Sequence, residues 1–317
     1  MAPLITDPEQ LYISLLENFK VAQTNFLNLR KALFRTLQGD HFLLKLQYNP
    51  ERIRSTAAQI DEKTLKERKC FLCPAHLLPG QKGVPYGSRY TIFINPYPIF
   101  DRHFTIPDQS HIPQLIEGRF GDMLRLAKDF PCYTLFYNGP RCGASAPDHF
   151  HFQMASQGVM PVEKEIENWT VLQNNPSYQI GTIENYLRKI IILKSDQRIV
   201  LENLFLQILS LLRKNIPSEP EPMINLLCWY TSSHWNVIIF PRRGLRPRQF
   251  YAAGEDKILF SPGCVDFAGL LVTPRKEDYN RYTPELLEEL FGQLTLTDKT
   301  WGKIYPSLCT LTPSLNL

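Results

Sequence analysis

Residues 149–153 read His-Phe-His-Phe-Gln, and this alternation restricts the fold more tightly than any other stretch of the chain. A period of two belongs to a strand, so His149, His151 and Gln153 share one face. Phe150 and Phe152 point the other way, into a core.

The residues leading into that strand are small. Asn138-Gly-Pro-Arg-Cys-Gly-Ala-Ser-Ala-Pro-Asp forms a loop in which Gly139, Gly143, Ala144 and Ser145 let backbone N–H groups and the Ser145 hydroxyl approach a phosphate closely. An imidazole aimed at phosphorus beside such a loop is suited to nucleophilic displacement through a phosphohistidine-type intermediate.

The chain around this motif is of ordinary globular composition. Its 317 residues are 44% hydrophobic and carry 35 basic against 31 acidic groups, which excludes a mostly disordered or coiled-coil chain and does not single out nucleic acid as a partner. The length suggests about two domains. The first residues lack the basic start and apolar core of a signal peptide, and no stretch is apolar enough to span a membrane. Seven cysteines at low density argue against a disulfide framework. A cytoplasmic setting is the expectation.

Periodicity predicts helices from Asp7 to Leu33, from about Pro50 to Glu67, over His111–Phe130, over Glu184–Lys214 and at Pro284–Leu294. Strands are predicted at Tyr90–Asn95, His103–Ile106, Cys132–Asn138, His149–Ala155, Met223–Tyr230, His234–Phe240, Lys257–Phe260 and Gly269–Val272. Residues 218–222, Ser-Glu-Pro-Glu-Pro, read as a short linker. The second half echoes the first at an offset of about 120–135 residues, which suggests a diverged duplication. In that alignment 224–227 and 235–241 match 93–95 and 103–107, and 257–263 matches 134–139.

The active strand with its loop, Gly143-Ala144-Ser145-Ala146-Pro147-Asp148-His149-Phe150-His151-Phe152-Gln153, resembles that of the histidine-triad (HIT-like) superfamily in its His-X-His-X-Gln branch. That branch includes galactose-1-phosphate uridylyltransferases, diadenosine tetraphosphate phosphorylases (ATP adenylyltransferases) and GDP-L-galactose phosphorylases. Asp148 is one residue more than the family pattern. The resemblance extends to Asn95-Pro96, to Arg102–Pro107 followed by Ser110-His111-Ile112, and to Asn225–Leu227, Trp235–Arg242 and Gly269–Val272.

The resemblance implies an α+β fold of two tandem HIT-like domains with antiparallel sheets flanked by helices, the second copy degenerate. The expected division is a helical segment at 1–69, a catalytic domain at 70–160, a helical connection at 161–222, and at 223–317 a second domain without the histidine motif. His151 would be the nucleophile and Gln153 would orient the phosphoryl group, with His149 beside them. Asn95, Asn138, Gly143, Ala144 and Ser145 would bind substrate. A glutamine holds a phosphoryl oxygen yet cannot donate and recover a proton as imidazole does, which favours transfer over hydrolysis.

Cys70-Phe71-Leu72-Cys73 is a pair that can close a tetrahedral zinc site with two histidines. The resemblance gives those as His111 and His149, with His103 and His76 as competing ligands. The zinc would be structural, and no organic cofactor is implied. The basic run Arg242-Arg243-Gly244-Leu245-Arg246-Pro247-Arg248 is either a phosphate clamp led by Arg242 or a solvated charged turn.

The expected activity moves a nucleoside monophosphate from a nucleotide or nucleotide-sugar substrate to a phosphate acceptor through an adduct on His151. No membrane or nucleic acid is expected as partner; a homodimer is in keeping with the family. A nucleotide hydrolase, a silent nucleotide-binding protein and a zinc module for nucleic acid are the rival readings.

Overall fold

The computed structural model describes residues 7–53, 62–216, 219–231 and 233–313. Helix α1 (Pro8–Leu16) starts where Asp7 accepts the N–H groups of Glu9 and Gln10 at 2.8 and 3.0 Å, with Pro8 in the first turn. Helix α2 (Lys20–Leu29) follows. The predicted helical periodicity through Leu33 ends there, and 33–48 is a hairpin of β1 (Leu33–Gln38) and β2 (Leu43–Tyr48). Gly39-Asp40 lies in its turn, and Leu44 and Leu46 are buried while Leu43 and Lys45 are exposed, a two-residue rhythm that belongs to a strand. The N-terminal 1–69 segment is thus helix and hairpin, not helix alone. Of the helix predicted from Pro50 to Glu67, a single turn at Pro50–Arg52 and a helix at Glu62–Glu67 are seen, and 54–61 lie outside the described residues.

Ten further strands form one sheet: β3 (Gly83–Tyr86), β4 (Tyr90–Ile94), β5 (His103–Pro107), β6 (Tyr133–Asn138), β7 (His151–Ser156), β8 (Thr170–Asn175), β9 (Tyr178–Thr182), β10 (Ile191–Ser195), β11 (Ile224–Tyr230) and β12 (Trp235–Pro241). Their spatial order is 3-4-5-7-6-11-12-10-9-8, every neighbour antiparallel. Read from each outer edge inward, the order is 3-4-5-7-6 and 8-9-10-12-11, the same five-strand unit twice. A helix sits between the third and fourth strands of each unit: α3 (Phe120–Asp129) and α4 (Arg198–Asn215). Their Phe120 and Phe205 rings stack at 4.0 Å. The duplication is therefore present in a different register from the sequence alignment. The partner of the histidine strand β7 is β12, and β6 corresponds to β11.

This register corrects the predicted helical connection at 161–222. Those residues carry the first three strands of the second unit, and the helix expected from Glu184 begins only at Arg198. The run Ile190-Ile191-Ile192, followed by Leu193, is mostly β-branched and suits a pleated, buried surface. Likewise α3 starts nine residues later than predicted, after Pro113 and after Gly118 at φ 75°. The predicted strand at Lys257–Phe260 is irregular, and β13 (Leu270–Thr273) leaves the large sheet to pair in parallel with β2. Helix α5 (Pro284–Gly292) is as expected, whereas α6 (Asp298–Leu308) was not foreseen. Within the supposed linker, Ser218 lies outside the described residues and Glu221 is buried.

The two expected sheets are fused at β6 and β11, paired from Leu135↔Cys228 to Asn138↔Asn225. Each strand removes the other's open edge. One face of the sheet, with Ile92, Phe104, Leu135, Phe152, Val237 and Ile239, packs under α3 and α4. On the opposite face, the second unit is covered by Ile258, Phe260, Leu287 and Phe291, packed with Ile238 and Phe240 of β12. Over the first unit that same face opens into a cavity. No helix of the described residues is long and apolar enough to cross a membrane.

Candidate active site

The cavity has a volume of about 450 Å³ and is lined by Asn95, Asn138, Gly143, Ser145, His151 and Gln153, together with residues from the N-terminal segment and the second half. Six of the substrate and catalytic residues predicted from sequence thus converge on one hollow. Ala144 faces inward beside them, 2% exposed, and is not in the lining. The alternation of β7 sets this up: Phe150, Phe152 and Met154 enter the core under the helices, leaving His151 and Gln153 to the other face.

His151 is held in one tautomer. Its Nδ1 lies 2.9 Å from the carbonyl oxygen of His149, which can only accept, so Nδ1 carries the proton and Nε2 keeps its lone pair. Burial pushes the imidazole down to about 4, so the ring is neutral at physiological pH. A neutral imidazole with Nδ1–H tied back is a ready nucleophile at Nε2.

Gln153 is oriented by His103, a residue weighed from sequence only as a metal ligand. Ile99 N–H donates to His103 Nδ1 at 3.3 Å, and Nε2 lies 2.9 Å from Gln153 Oε1. Burial, with Arg52 nearby, pushes His103 down to about 3, leaving its one proton on Nε2 to donate to Oε1. The glutamine therefore turns its NH₂ group away from His103, toward the cavity, as a donor.

The loop before β7 packs closely against the 261–263 loop, which follows β12 in the second half. Gly143 has φ 93°, and a Cβ there would come 2.6 Å from the Cα of Gly263. Asn138 Oδ1 accepts from Cys264 N–H at 2.6 Å and from Asn225 Nδ2 at 2.9 Å. Ser261, Gly263, Cys264 and Asp266 consequently form a wall of the same cavity.

Arg242 is not in that wall. It is fully buried, donating to the carbonyls of Pro262, Gly244 and Leu245 at 2.7–3.0 Å and to Asn225 Oδ1 at 3.1 Å, with Phe267 under its guanidinium. Its Nη donors are spent on Asn225 and on the 244–245 and 261–263 loops, and the side chain is closed off from the cavity, which corrects its predicted role as a phosphate clamp. Neighbouring cations are similarly engaged, Arg243 on Thr295 and Gly292 carbonyls and Arg248 on Glu289. The cations that do line the cavity, Arg52, Arg68 and Lys69, come from the N-terminal segment and were not singled out from sequence.

Cys70, Cys73, His111 and His149 gather with their ligating atoms all within 4.8 Å of one another, a group that could hold a metal ion. Cys70 Sγ and His149 Nδ1 are 3.3 Å apart, Cys73 Sγ and His111 Nδ1 3.2 Å, and Cys73 Sγ and His149 Nδ1 3.5 Å. Metal bonds of about 2.0–2.3 Å at tetrahedral angles place neighbouring donors roughly 3.3–3.8 Å apart, and these three separations lie close to that range. His149 Nε2 is 2.8 Å from the Asp108 carbonyl, which fixes the proton there and leaves Nδ1 free to ligate. The competing histidines are elsewhere: His103 on Gln153, and His76 on the Cys70 carbonyl at 3.1 Å.

Asp148, the residue extra to the family pattern, connects the two sites. One oxygen is 3.6 Å from His111 Nε2, and the other pairs with Arg68 Nη2. Arg68 Nη1 is buried without a hydrogen-bond partner among the described residues.

Fold and site together define an α+β protein with the fold of two tandem HIT-like domains. Residues 161–314 match the family described as GDPGP1-like, C-terminal domain, and residues 11–156 match a domain of unknown function, DUF4922. The crystal structure of yeast Ap4A phosphorylase Apa2 in complex with AMP shares the fold, with a TM-score of 0.58 and 14% identity over 87% of this chain and 95% of that one. Apa2 in complex with Ap4A gives a TM-score of 0.54 and 12% identity, covering 88% and 97%. No curated protein matches the sequence significantly.

Proposed function

We propose that the chain is a nucleotidyltransferase acting by double displacement. The donor is a nucleotide with at least two phosphates, a dinucleoside polyphosphate or a nucleoside diphosphate sugar, and the acceptor carries a phosphate. The reading rests on His151, whose Nδ1–H is bound to the His149 carbonyl so that Nε2 is the reactive atom.

In the first step the Nε2 lone pair attacks the donor's phosphorus. The P–O bond to the departing group breaks, and that group leaves with the electron pair on its phosphate oxygen. The ring becomes an imidazolium, its proton still on Nδ1 against a carbonyl dipole that stabilises the charge. In the second step an acceptor phosphate oxygen attacks the same phosphorus, the P–N bond breaks, and neutral imidazole returns. The Gln153 amide donates to a non-bridging oxygen and, lacking a proton it can give and recover, does not activate water. Amides near Gly143 and Ser145 share the oxyanion charge. Arg52, Arg68 and Lys69 supply positive charge for the departing or incoming phosphate.

The metal we assign to Cys70, Cys73, His111 and His149 is zinc, on the softness of two thiolates with two imidazoles. Four protein donors leave no open position, so its contribution is to tie residues 70–73 against the strand that carries the nucleophile.

Intact mass after mixing with ATP, diadenosine tetraphosphate, GDP-hexoses and UDP-hexoses in turn tests this reading. An adduct of one nucleoside monophosphate on the wild type and not on His151→Ala is the expected result and names the base. Nucleotide binding with no adduct from any donor would overturn it in favour of a silent binder. Free monophosphate released without acceptor would favour a hydrolase.

A further inference from the structure

The ladder between β6 and β7 stops short of the nucleophile. Its pairs run from Tyr133↔Ser156 to Phe136↔Gln153, so continuing the register would set Asn138 opposite His151. On its other side β7 stays paired, with His151 opposite Pro107 of β5. The gap is confined to the β6 side, where the two residues facing each other both line the cavity.

A side chain fills the missing rung. Gln114 is fully buried; its Oε1 accepts the His151 N–H at 2.7 Å, and its Nε2 donates to the Asn138 and His151 carbonyls, each at 3.0 Å. One amide thus replaces the exchange of N–H and C=O that an antiparallel pair would make, while holding the strands a side chain's width apart. His151 is therefore fixed at its N–H and C=O by Gln114, and at its ring by the His149 carbonyl.

Gln114 is itself fixed from the second half. Its N–H donates to the Pro147 carbonyl at 3.1 Å, and its carbonyl lies 3.1 Å from the Tyr137 hydroxyl. That hydroxyl is 2.6 Å from Oε1 of Glu221, whose Oε2 accepts the Ile116 N–H at 3.0 Å. Glu221 is 3% exposed and lies just before β11, so a buried carboxyl of the second unit ends the chain of contacts.

We propose that Gln114 is a positioning residue for His151 and that Glu221, through Tyr137, holds Gln114 in register. This makes the second unit, which has no histidine motif, a working part of the nucleophile's support. The inference rests on the covalent-histidine reading above for its kinetic consequence, but the brace itself is a property of the backbone and can be read without turnover. A polar brace is used here because apolar contact would leave the His151 N–H and the Asn138 carbonyl unpaired in the interior.

The test uses the full chain with Gln114→Met and Glu221→Gln. Rates of nucleoside monophosphate adduct formation are measured across donor concentration, alongside hydrogen exchange of the His151 amide. For Gln114→Met the expected result is a maximal rate down about 100-fold with half-saturation within about twofold, as a displaced nucleophile gives. The His151 amide should lose protection while the amides of α3 and α4 keep theirs. Glu221→Gln, which keeps the hydrogen-bonding shape, should retain most of the rate; Glu221→Leu should follow Gln114→Met. Should Gln114→Met not fold, Gln114→Glu retains the acceptor for the His151 N–H and loses the two donations, and the same readouts apply. An unchanged rate, a rate and half-saturation that move together, or undiminished His151 protection would each overturn the proposal. If the wild type forms no adduct, the covalent reading falls, and the exchange measurement still decides whether the brace exists.

Discussion

His103 and Gln153 are joined at 2.9 Å, and this one bond decides which end of the glutamine amide the substrate meets. The imidazole has a single proton and its Nδ1 is already accepting from Ile99, so Oε1 must face the ring. A histidine outside the motif thereby makes the motif's glutamine a donor.

Replacing Gln153 by Glu keeps the contact to His103 and loses the donor. A carboxylate beside a transferring phosphoryl group should lower single-turnover adduct formation by about 100-fold or more, read by rapid-quench mass spectrometry. His103→Phe, which removes the acceptor's partner and lets the amide turn, should cost less, about 10-fold. Equal rates for both variants and the wild type would exclude the orientation argument.

Arg68, which lines the cavity, has one nitrogen on Asp148 and another, Nη1, buried and without a hydrogen-bond partner among the described residues. A phosphate oxygen arriving there completes it. Arg68→Met should weaken binding of a donor with two or more phosphates by about 10–100-fold, the worth of a charged hydrogen bond, and leave monophosphate binding within about threefold. Calorimetric titration with paired ligands checks the difference.

Removing the metal should separate stability from chemistry. Cys73→Ser should lower bound zinc, by elemental analysis, and reduce unfolding free energy by at least about 2 kcal/mol, as for loss of any ligand that binds only the native state. Wild type treated with a chelator should match it. A metal-free variant as stable as the loaded protein would argue against a structural ion.

The Glu221 carboxyl is pushed up to about 7, by burial first, with Glu117 adding to the rise and Tyr137, Ile116 N–H and Arg213 opposing it. Its ordinary value is 4.5. Between those values the native state binds the proton that the unfolded chain has released, so stability falls as pH rises through that window and levels off above it. The size is on the order of 3 kcal/mol. Glu221→Gln should flatten the decline in urea-melt stability between pH 4.5 and 7.

How far the site could be read beforehand depended on spacing. His151, Gln153, Gly143 and the Cys70–Cys73 pair carry short-range patterns whose physical meaning is local: a strand face, a positive φ, two thiolates on one turn. Gln114 and Glu221 carry none. Each is a single polar residue whose value comes from meeting β6 and β7 in space, and a buried glutamate between two prolines looks like a solvated linker until its partners are known. Arg242 misled for the complementary reason, because an arginine-rich run reads as exposed charge, whereas the Pro262, Gly244 and Leu245 carbonyls and the Phe267 ring hold its guanidinium indoors. The fold class was legible through the resemblance carried by the histidine strand and its loop. The register of the repeat was not, since β10 with its lead-in Ile190 lies in a stretch with helix-like spacing, and missing it together with β8 and β9 displaces β11 and β12 by two strands.

The seam between β6 and β11 has a consequence for what can be cut. Expressed alone, residues up to Ser156 would contain the nucleophile, the glutamine and the metal ligands, yet would present β6 as a bare edge, next to an Asn138 deprived of Asn225 and Cys264. The first half therefore depends on the later one to close its sheet and to hold Asn138, as an arch depends on its keystone. Loss of activity in variants far from the cavity, anywhere along that seam, is the phenotype such an arrangement produces.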